Sequence, residues 1–197
     1  MHLLRGFAVA GLACLAAACA TTPARQAGAS SRATISSDLQ LCPGVVISNA
    51  PSADGSRRIS GYHAIANVSG ATLYRAPVKA CVSSGYGPRK GGASSFHKGV
   101  DLYTGEPRTV YAGGDGVVSA VGNFSGYGNT VLIDHGRGVE TRYAHLSDIA
   151  QGVRRGARVA MGEPIGRTGK TGNATAVHLH YEILVGGRAH NPLTIGQ

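Results

Sequence analysis

Glycines break this chain into runs too short for long helices and of the right length for strands. Gly113-Gly114, Gly126, Gly128, Gly136, Gly138 and Gly186-Gly187 separate stretches rich in β-branched and aromatic residues. Those stretches are Val110-Tyr111-Ala112, Gly116 to Val121, Asn129 to Asp134, Glu140 to His145 and His178 to Val185. β-Branched side chains suit a pleated surface, and glycine supplies the turns between. With 30 glycines in 197 residues and no tryptophan, the pattern predicts many short strands in an antiparallel sheet, barrel or sandwich. No stretch carries the apolar period of a long amphipathic helix. The expected fold class is all-β.

The N-terminus reads as an address. Arg5 precedes an apolar run from Gly6 to Ala18. About a dozen apolar residues are too few to span a bilayer but fit the centre of a secretory signal. Leu15-Ala16-Ala17-Ala18-Cys19-Ala20 looks like a bacterial lipoprotein signal, in which Cys19 becomes the lipidated first residue. Ala16 stands where such signals usually carry a larger aliphatic residue. Cleavage after Ala20, with Ala18 and Ala20 as the small pair, is the other reading. Both readings export the protein, either to a membrane-anchored position facing the periplasm or to a soluble one.

The remaining sequence divides by composition. Residues 1–18 form the signal, 19–38 a polar tether, 39–82 an accessory β segment and 83–197 the main domain. The accessory segment holds the runs Val45-Val46-Ile47 and Thr72-Leu73-Tyr74. Once Cys14 and Cys19 are assigned to the leader and its processing site, Cys42 and Cys81 remain. An even pair in an oxidising compartment predicts a disulfide. Closing its loop would contribute about 3–4 kcal/mol.

The formal charge of +9 favours polyanionic surroundings: nucleic acid, anionic lipid or an anionic wall polymer. The basic residues are dispersed, with short pairs such as Arg57-Arg58 and Arg154-Arg155. No aromatic-interleaved basic motif occurs, so no nucleic-acid partner is expected. A monomer is expected.

Three histidine contexts carry the chemistry. On a strand from His178 to Val185, the residues His178, His180, Glu182 and Leu184 share one face, and Leu179, Tyr181, Ile183 and Val185 share an apolar face suited to a core. The two histidines are then about 6–7 Å apart along the strand. That spacing suits one metal ligand and one neighbour acting beside it. His97 and Asp101 would stand about 13 Å apart on a straight strand, so a bend at Gly99 is predicted to bring them together. Imidazole and carboxylate are suitable zinc ligands, and three of them leave one coordination position open. A third context is Tyr143-Ala144-His145-Leu146. Of the remaining histidines, His135 is expected to make a structural hydrogen bond, and His63 and His190 to be exposed.

Phe96 to Leu102, Tyr143 to Ser147 and His178 to Ile183 resemble the three signature blocks of the lysostaphin-type (LytM-domain) zinc peptidoglycan endopeptidases. Gly85-Tyr86-Gly87-Pro88-Arg89, Val110 to Val118 and Gly169-Lys170-Thr171-Gly172 resemble supporting stretches of that family, and the likeness covers about residues 83 to 193. It implies an open, barrel-like antiparallel sandwich, the duplicated hybrid motif of these metallopeptidases. It implies one zinc held by His97, Asp101 and His180. It implies His145 and His178 as the catalytic pair, with their division of labour open, and peptidoglycan as the partner. Some relatives have lost ligands and activate other wall hydrolases. The runner-up function is therefore a non-catalytic wall-binding or regulatory module.

Overall fold

The sequence runs at 72–74, 116–121, 129–134, 140–145 and 178–185 all fall on strands, and the run at 110–112 does so through Tyr111, in the computed structural model, which describes residues 35, 37–45, 48–90 and 94–197. The leader, Cys19, most of the tether and Val46-Ile47 lie outside the described residues. In chain order the strands are β1 (Ile65–Val68), β2 (Ala71–Tyr74), β3 (Cys81–Ser84), β4 (Gly87–Pro88), β5 (Phe96–His97), β6 (Val100–Tyr103), β7 (Thr109–Tyr111) and β8 (Gly116–Phe124). They continue as β9 (Gly128–Asp134), β10 (Val139–Leu146), β11 (Asp148–Ile149), β12 (Arg158–Val159), β13 (Pro164–Arg167), β14 (His178–Val185) and β15 (Arg188–His190). No helix occurs among the described residues, so the all-β expectation holds.

The main sheet runs β12-β8-β9-β10-β14-β6-β3, with β15 added beside β14. Its strand pairs are antiparallel, so consecutive strands connect by the tight glycine turns that the sequence supplies. The long central strand β14 lies between β10 on one side and, on the other, β6 along His178–Tyr181 and β15 along Ile183–Val185. Leu179, Tyr181 and Ile183 project into the core, as the alternation predicts, and are fully buried. Burying a side chain such as Leu or Ile contributes about 1.5–3 kcal/mol. The opposite face is also buried: His178, His180 and Glu182 are inaccessible or nearly so. The polar face of β14 is thus the floor of a cleft rather than a solvated surface.

The segment before residue 81 joins this core. Leu39, Ile59, Ala66, Val68 and Leu73 belong to the same buried cluster as Val131, Leu179 and Ile183. Two buried tyrosines tie the layers together. Tyr181 donates to the carbonyl of Tyr74 at 2.8 Å, and Tyr143 accepts from Gly113 N at 2.6 Å. Residues 40–42 lie against the outer edge of β3, where Val82 N donates to Gln40 O at 2.8 Å and Cys42 N to Val82 O at 3.0 Å. The Cys42–Cys81 disulfide closes the same junction. β3 itself runs across residues 82 and 83, so hydrogen-bonded structure is continuous from the accessory segment into the main sheet.

Candidate metal centre

The bend expected between His97 and Asp101 is present. The chain leaves β5, turns at Lys98-Gly99 and enters β6. Gly99 is required there, because a Cβ at this position would lie 2.2 Å from the carbonyl oxygen of Tyr181. The turn folds His97 back over β6, and β6 pairs Asp101 directly with His180 of β14. Three donor atoms from distant parts of the sequence then converge. His97 Nε2 lies 3.1 Å from Asp101 Oδ1, His180 Nδ1 lies 2.9 Å from the same oxygen, and the two nitrogens are 3.0 Å apart.

The proton inventory of this triangle identifies what it can hold. His97 Nδ1 faces the carbonyl oxygen of Gly85 at 2.6 Å. A carbonyl only accepts, so Nδ1 carries the proton and Nε2 presents a lone pair. His180 Nε2 faces Glu182 Oε1 at 3.0 Å. Burial alone would raise the Glu182 pKa, but His180, Arg142 and Tyr127 hold it below its ordinary value. The carboxylate therefore accepts, and His180 Nδ1 presents its lone pair to the centre. Asp101 behaves alike: burial opposes its ionisation, yet His180 and His97 keep its carboxyl well below the usual range. Two imidazole lone pairs and a carboxylate oxygen thus face one another at about 3 Å, an arrangement that a cation satisfies. Tetrahedral zinc with bonds of about 2.0–2.2 Å has ligand-to-ligand edges of about 3.3–3.6 Å, so the triangle fits such an ion after a small expansion. In the metal-free protein a proton takes its place. Burial by itself lowers the His180 pKa, but the hydrogen bonds to Asp101 and Glu182 raise it to about 9. Metal binding at this triangle accordingly displaces a proton.

Behind His180 stands a group that sequence reasoning placed on the correct face without a role. Glu182 is fully buried, receives the Tyr127 hydroxyl at 2.9 Å and pairs with Arg142 at 2.7 Å. The Arg142 guanidinium also lies over the Tyr127 ring, 4.4 Å from its centroid. This network orients His180 through its far nitrogen.

His145 and His178 flank the triangle. Their ring centroids are 4.8 Å apart, and His178 Nε2 lies 3.6 Å from Asp101 Oδ1. His145 sits at a bulge where the pairing of β10 with β9 shifts register between Tyr143 and Leu146. Its φ of +62° is unusual for a non-glycine residue. The loop at Gly169–Gly172 explains how this geometry is held. Thr171 O accepts from His145 Nδ1 at 2.8 Å, and Thr171 Oγ1 donates to Leu146 O at 2.9 Å. His178 Nδ1 similarly donates to Ala176 O at 2.8 Å. In both rings the Nδ1 proton is committed to a backbone carbonyl, leaving Nε2 as the basic atom. Thr171 and Ala176 act through their carbonyls, so residue type offered no signal for them.

Together these groups line an open cleft of about 370 Å³, whose lining also includes Arg89, Phe96, Lys98, Tyr127, Asn173 and Thr175. His135 lies apart; its Nδ1 donates to Asp115 O and its Nε2 faces Thr141 Oγ1, both at 2.7 Å. His63 and His190 are exposed.

The profile of peptidase family M23 matches residues 95–192, which contain His97, Asp101, His145, His178 and His180. Residues 95–192 form a peptidase family M23 domain. Its M23 region is 46% identical over 100 residues to the DD-carboxypeptidase/endopeptidase Mpg of Neisseria meningitidis, covering 51% of this chain and 23% of that protein. It is 44% identical over 97 residues to the peptidoglycan DD-endopeptidase ShyA of Vibrio cholerae, covering 49% and 22%. The chain therefore spans about a quarter of the length of these curated relatives. Among solved structures, a zinc containing peptidase from Vibrio cholerae superposes with a TM-score of 0.57 at 33% identity, covering 62% of this chain and 39% of that one. The M23 fold accounts for the antiparallel architecture and for the order of the three histidine blocks.

One electrostatic property of the M23 cleft is directly measurable. Burial, followed by the neighbouring His178, lowers the His145 pKa to about 4. His145 is then neutral at pH 7 with its Nε2 lone pair free. An NMR titration is expected to show the ring protonating only as the pH falls through about 4. Titration near the ordinary value of about 6.5 would mean that the ring is solvated rather than held in the cleft.

Proposed function

We propose that this protein is an exported zinc metalloendopeptidase that hydrolyses peptide bonds in peptidoglycan stem peptides or cross-links. The observation that carries this reading is the convergence of two imidazole nitrogens and a carboxylate oxygen, which suit a cation that displaces the His180 proton, beside two imidazoles whose Nε2 atoms are both available. A structural site needs no such pair, whereas hydrolysis needs both a base and an acid. Zinc held by His97, Asp101 and His180 would supply Lewis acidity toward a substrate carbonyl and toward water.

The chain's own groups do the remaining work. One of His145 and His178 removes a proton from the attacking water through Nε2. That same Nε2 then passes the proton to the leaving amine, and the other ring, in its Nε2-protonated form, donates a hydrogen bond to the oxygen that gains charge. The cleft suits an extended peptide, and Lys98 in its lining suits the carboxylates of stem peptides, whereas Arg89 is paired with Asp101 Oδ2 at 3.7 Å. We assign the scissile bond to a D-Ala–diaminopimelate cross-link, a reading supported by relatives named DD-endopeptidases. The runner-up, a regulatory module that activates another hydrolase, does not require the complete five-residue set. We keep residues 1–18 as the leader, 19–38 as the tether, 39–82 as the accessory segment and 83–197 as the catalytic domain. Cys19 is proposed as the lipidated first residue; intact mass of the mature protein distinguishes an acylated Cys19 from an unmodified Thr21.

Incubating the purified, metal-loaded protein with peptidoglycan and separating the muropeptides by mass spectrometry tests the activity. Cross-linked dimers should decline as monomers appear. Unchanged muropeptides, together with stimulation of a second wall hydrolase, would favour the regulatory module.

A further inference from the structure

Gly85 joins the metal centre to a part of the chain that lies outside the M23 match. Its carbonyl takes the His97 Nδ1 proton and so leaves His97 Nε2 facing Asp101 and His180. The Asn49 side chain engages the same glycine twice. Asn49 Nδ2 donates to Gly85 O, and Asn49 Oδ1 accepts from Gly85 N at 3.2 Å. A carbonyl oxygen has two lone pairs. Here one faces Asn49 and the other His97, so the direction of the carbonyl is defined from both sides. The neighbouring Ser84 hydroxyl is shared in the same way, 3.5 Å from Asn49 Oδ1 and 3.3 Å from His97 Nδ1.

Close packing reinforces these polar contacts. A Cβ at residue 85 would lie 2.1 Å from the Asn49 carbonyl oxygen, so glycine is needed for the two backbones to meet. One residue before Asn49, the Ser48 hydroxyl accepts from Lys90 N at 2.9 Å. The Cys42–Cys81 disulfide anchors this stretch to the strand that leads into Ser84 and Gly85. An amide is well suited to the task, since it offers a donor and an acceptor side by side and can clip both polar atoms of one residue.

We propose that Asn49 is a positioning residue of the metal centre, setting the Gly85 carbonyl and through it the ring and tautomer of His97. The segment before the M23 match thereby completes the site from outside. This proposal rests on the reading of His97 as a metal ligand.

The test compares zinc release to a chromogenic chelator from the wild-type protein and from Asn49→Ala, Asn49→Asp and Ser48→Ala. Groups that orient a metal ligand typically contribute about 10–100-fold to metal affinity. Asn49 acts one bond further out, so release from Asn49→Ala should be faster by about tenfold, the lower end of that range. Asn49→Asp keeps the size and the acceptor for Gly85 N but loses the donor to Gly85 O. It should remain folded and release zinc faster as well, which preserves the test if the alanine variant does not fold. Ser48→Ala removes a hydrogen bond from the same loop without touching Gly85 and should match wild type. The imidazole ¹⁵N shifts of His97 provide a second readout: wild type should show the Nδ1–H tautomer, and the Asn49 variants a mixture. Folded Asn49 variants with wild-type zinc release and an unchanged His97 tautomer would overturn the proposal. If the wild-type protein bound no zinc, the metal reading would fail, and the His97 tautomer would still decide whether Asn49 positions this ring.

Discussion

His97→Ala and Asp101→Ala are expected to yield folded protein that no longer retains zinc. Each substitution removes one of three donors that meet at about 3 Å. A zinc ion bound by two protein ligands is held weakly. Perturbing only the partners of a ligand already costs about 10–100-fold, so loss of a ligand should weaken binding by more than about 100-fold. Asp101→Ala has a further consequence, since it removes the carboxylate that His97, His180 and His178 all approach. Two imidazoles would then face each other across the site without an anion between them. Elemental analysis after gel filtration, with chelator competition for the affinity, measures the effect. Unchanged zinc content in both variants would remove His97 and Asp101 from the ligand set.

His145→Ala and His178→Ala should instead keep the metal and lose turnover. Both rings adjoin the triangle without belonging to it, and both hold Nε2 free because Nδ1 is spent on Thr171 O or Ala176 O. A positioned general acid or base contributes about 10²–10⁴-fold to rate. Each variant should lose turnover within that range, with zinc content at the wild-type level and little change in KM. The variant that removes the base should also alter the acidic limb of the kcat/KM profile. Parental digestion rates in both variants would show that the proton transfers belong to other groups. Loss of zinc along with activity would move the affected histidine from a catalytic to a binding role.

Much of this architecture was legible because strand geometry is local. The alternation from His178 to Val185 assigned Leu179, Tyr181 and Ile183 to the core, where they lie. Glycine at residue 99 pointed to the bend that brings His97 to Asp101, and the close approach of Tyr181 O gives the reason. Other features were hidden because they depend on what packs above the strand. The polar face of β14 was legible as polar but not as buried. Its burial follows from the cleft walls, and those walls make Glu182 an obligate partner of His180, Tyr127 and Arg142. The short strands β4, β5, β11 and β12, two residues each, carry too few positions to show alternation and exist through pairing, β4 with β5, β11 with β13 and β12 with β8.

By itself the sequence determined the all-β class, the Cys42–Cys81 pair, the three histidine blocks and the family of the domain that holds them, since each is written in residue type and spacing along the chain. Tertiary structure alone decided the tautomers. His97 depends on Gly85 O, His145 on Thr171 O and His180 on Glu182, contacts that span from 2 to 26 residues. It also decided that Asn49 reaches Gly85 from 36 residues away. The physical reason is the same in each case. Which nitrogen of a ring keeps its lone pair is set by the acceptor facing the other nitrogen; the carbonyls of Gly85 and Thr171 are common to every residue type, and the Glu182 carboxylate takes its role from the burial that turns it onto His180.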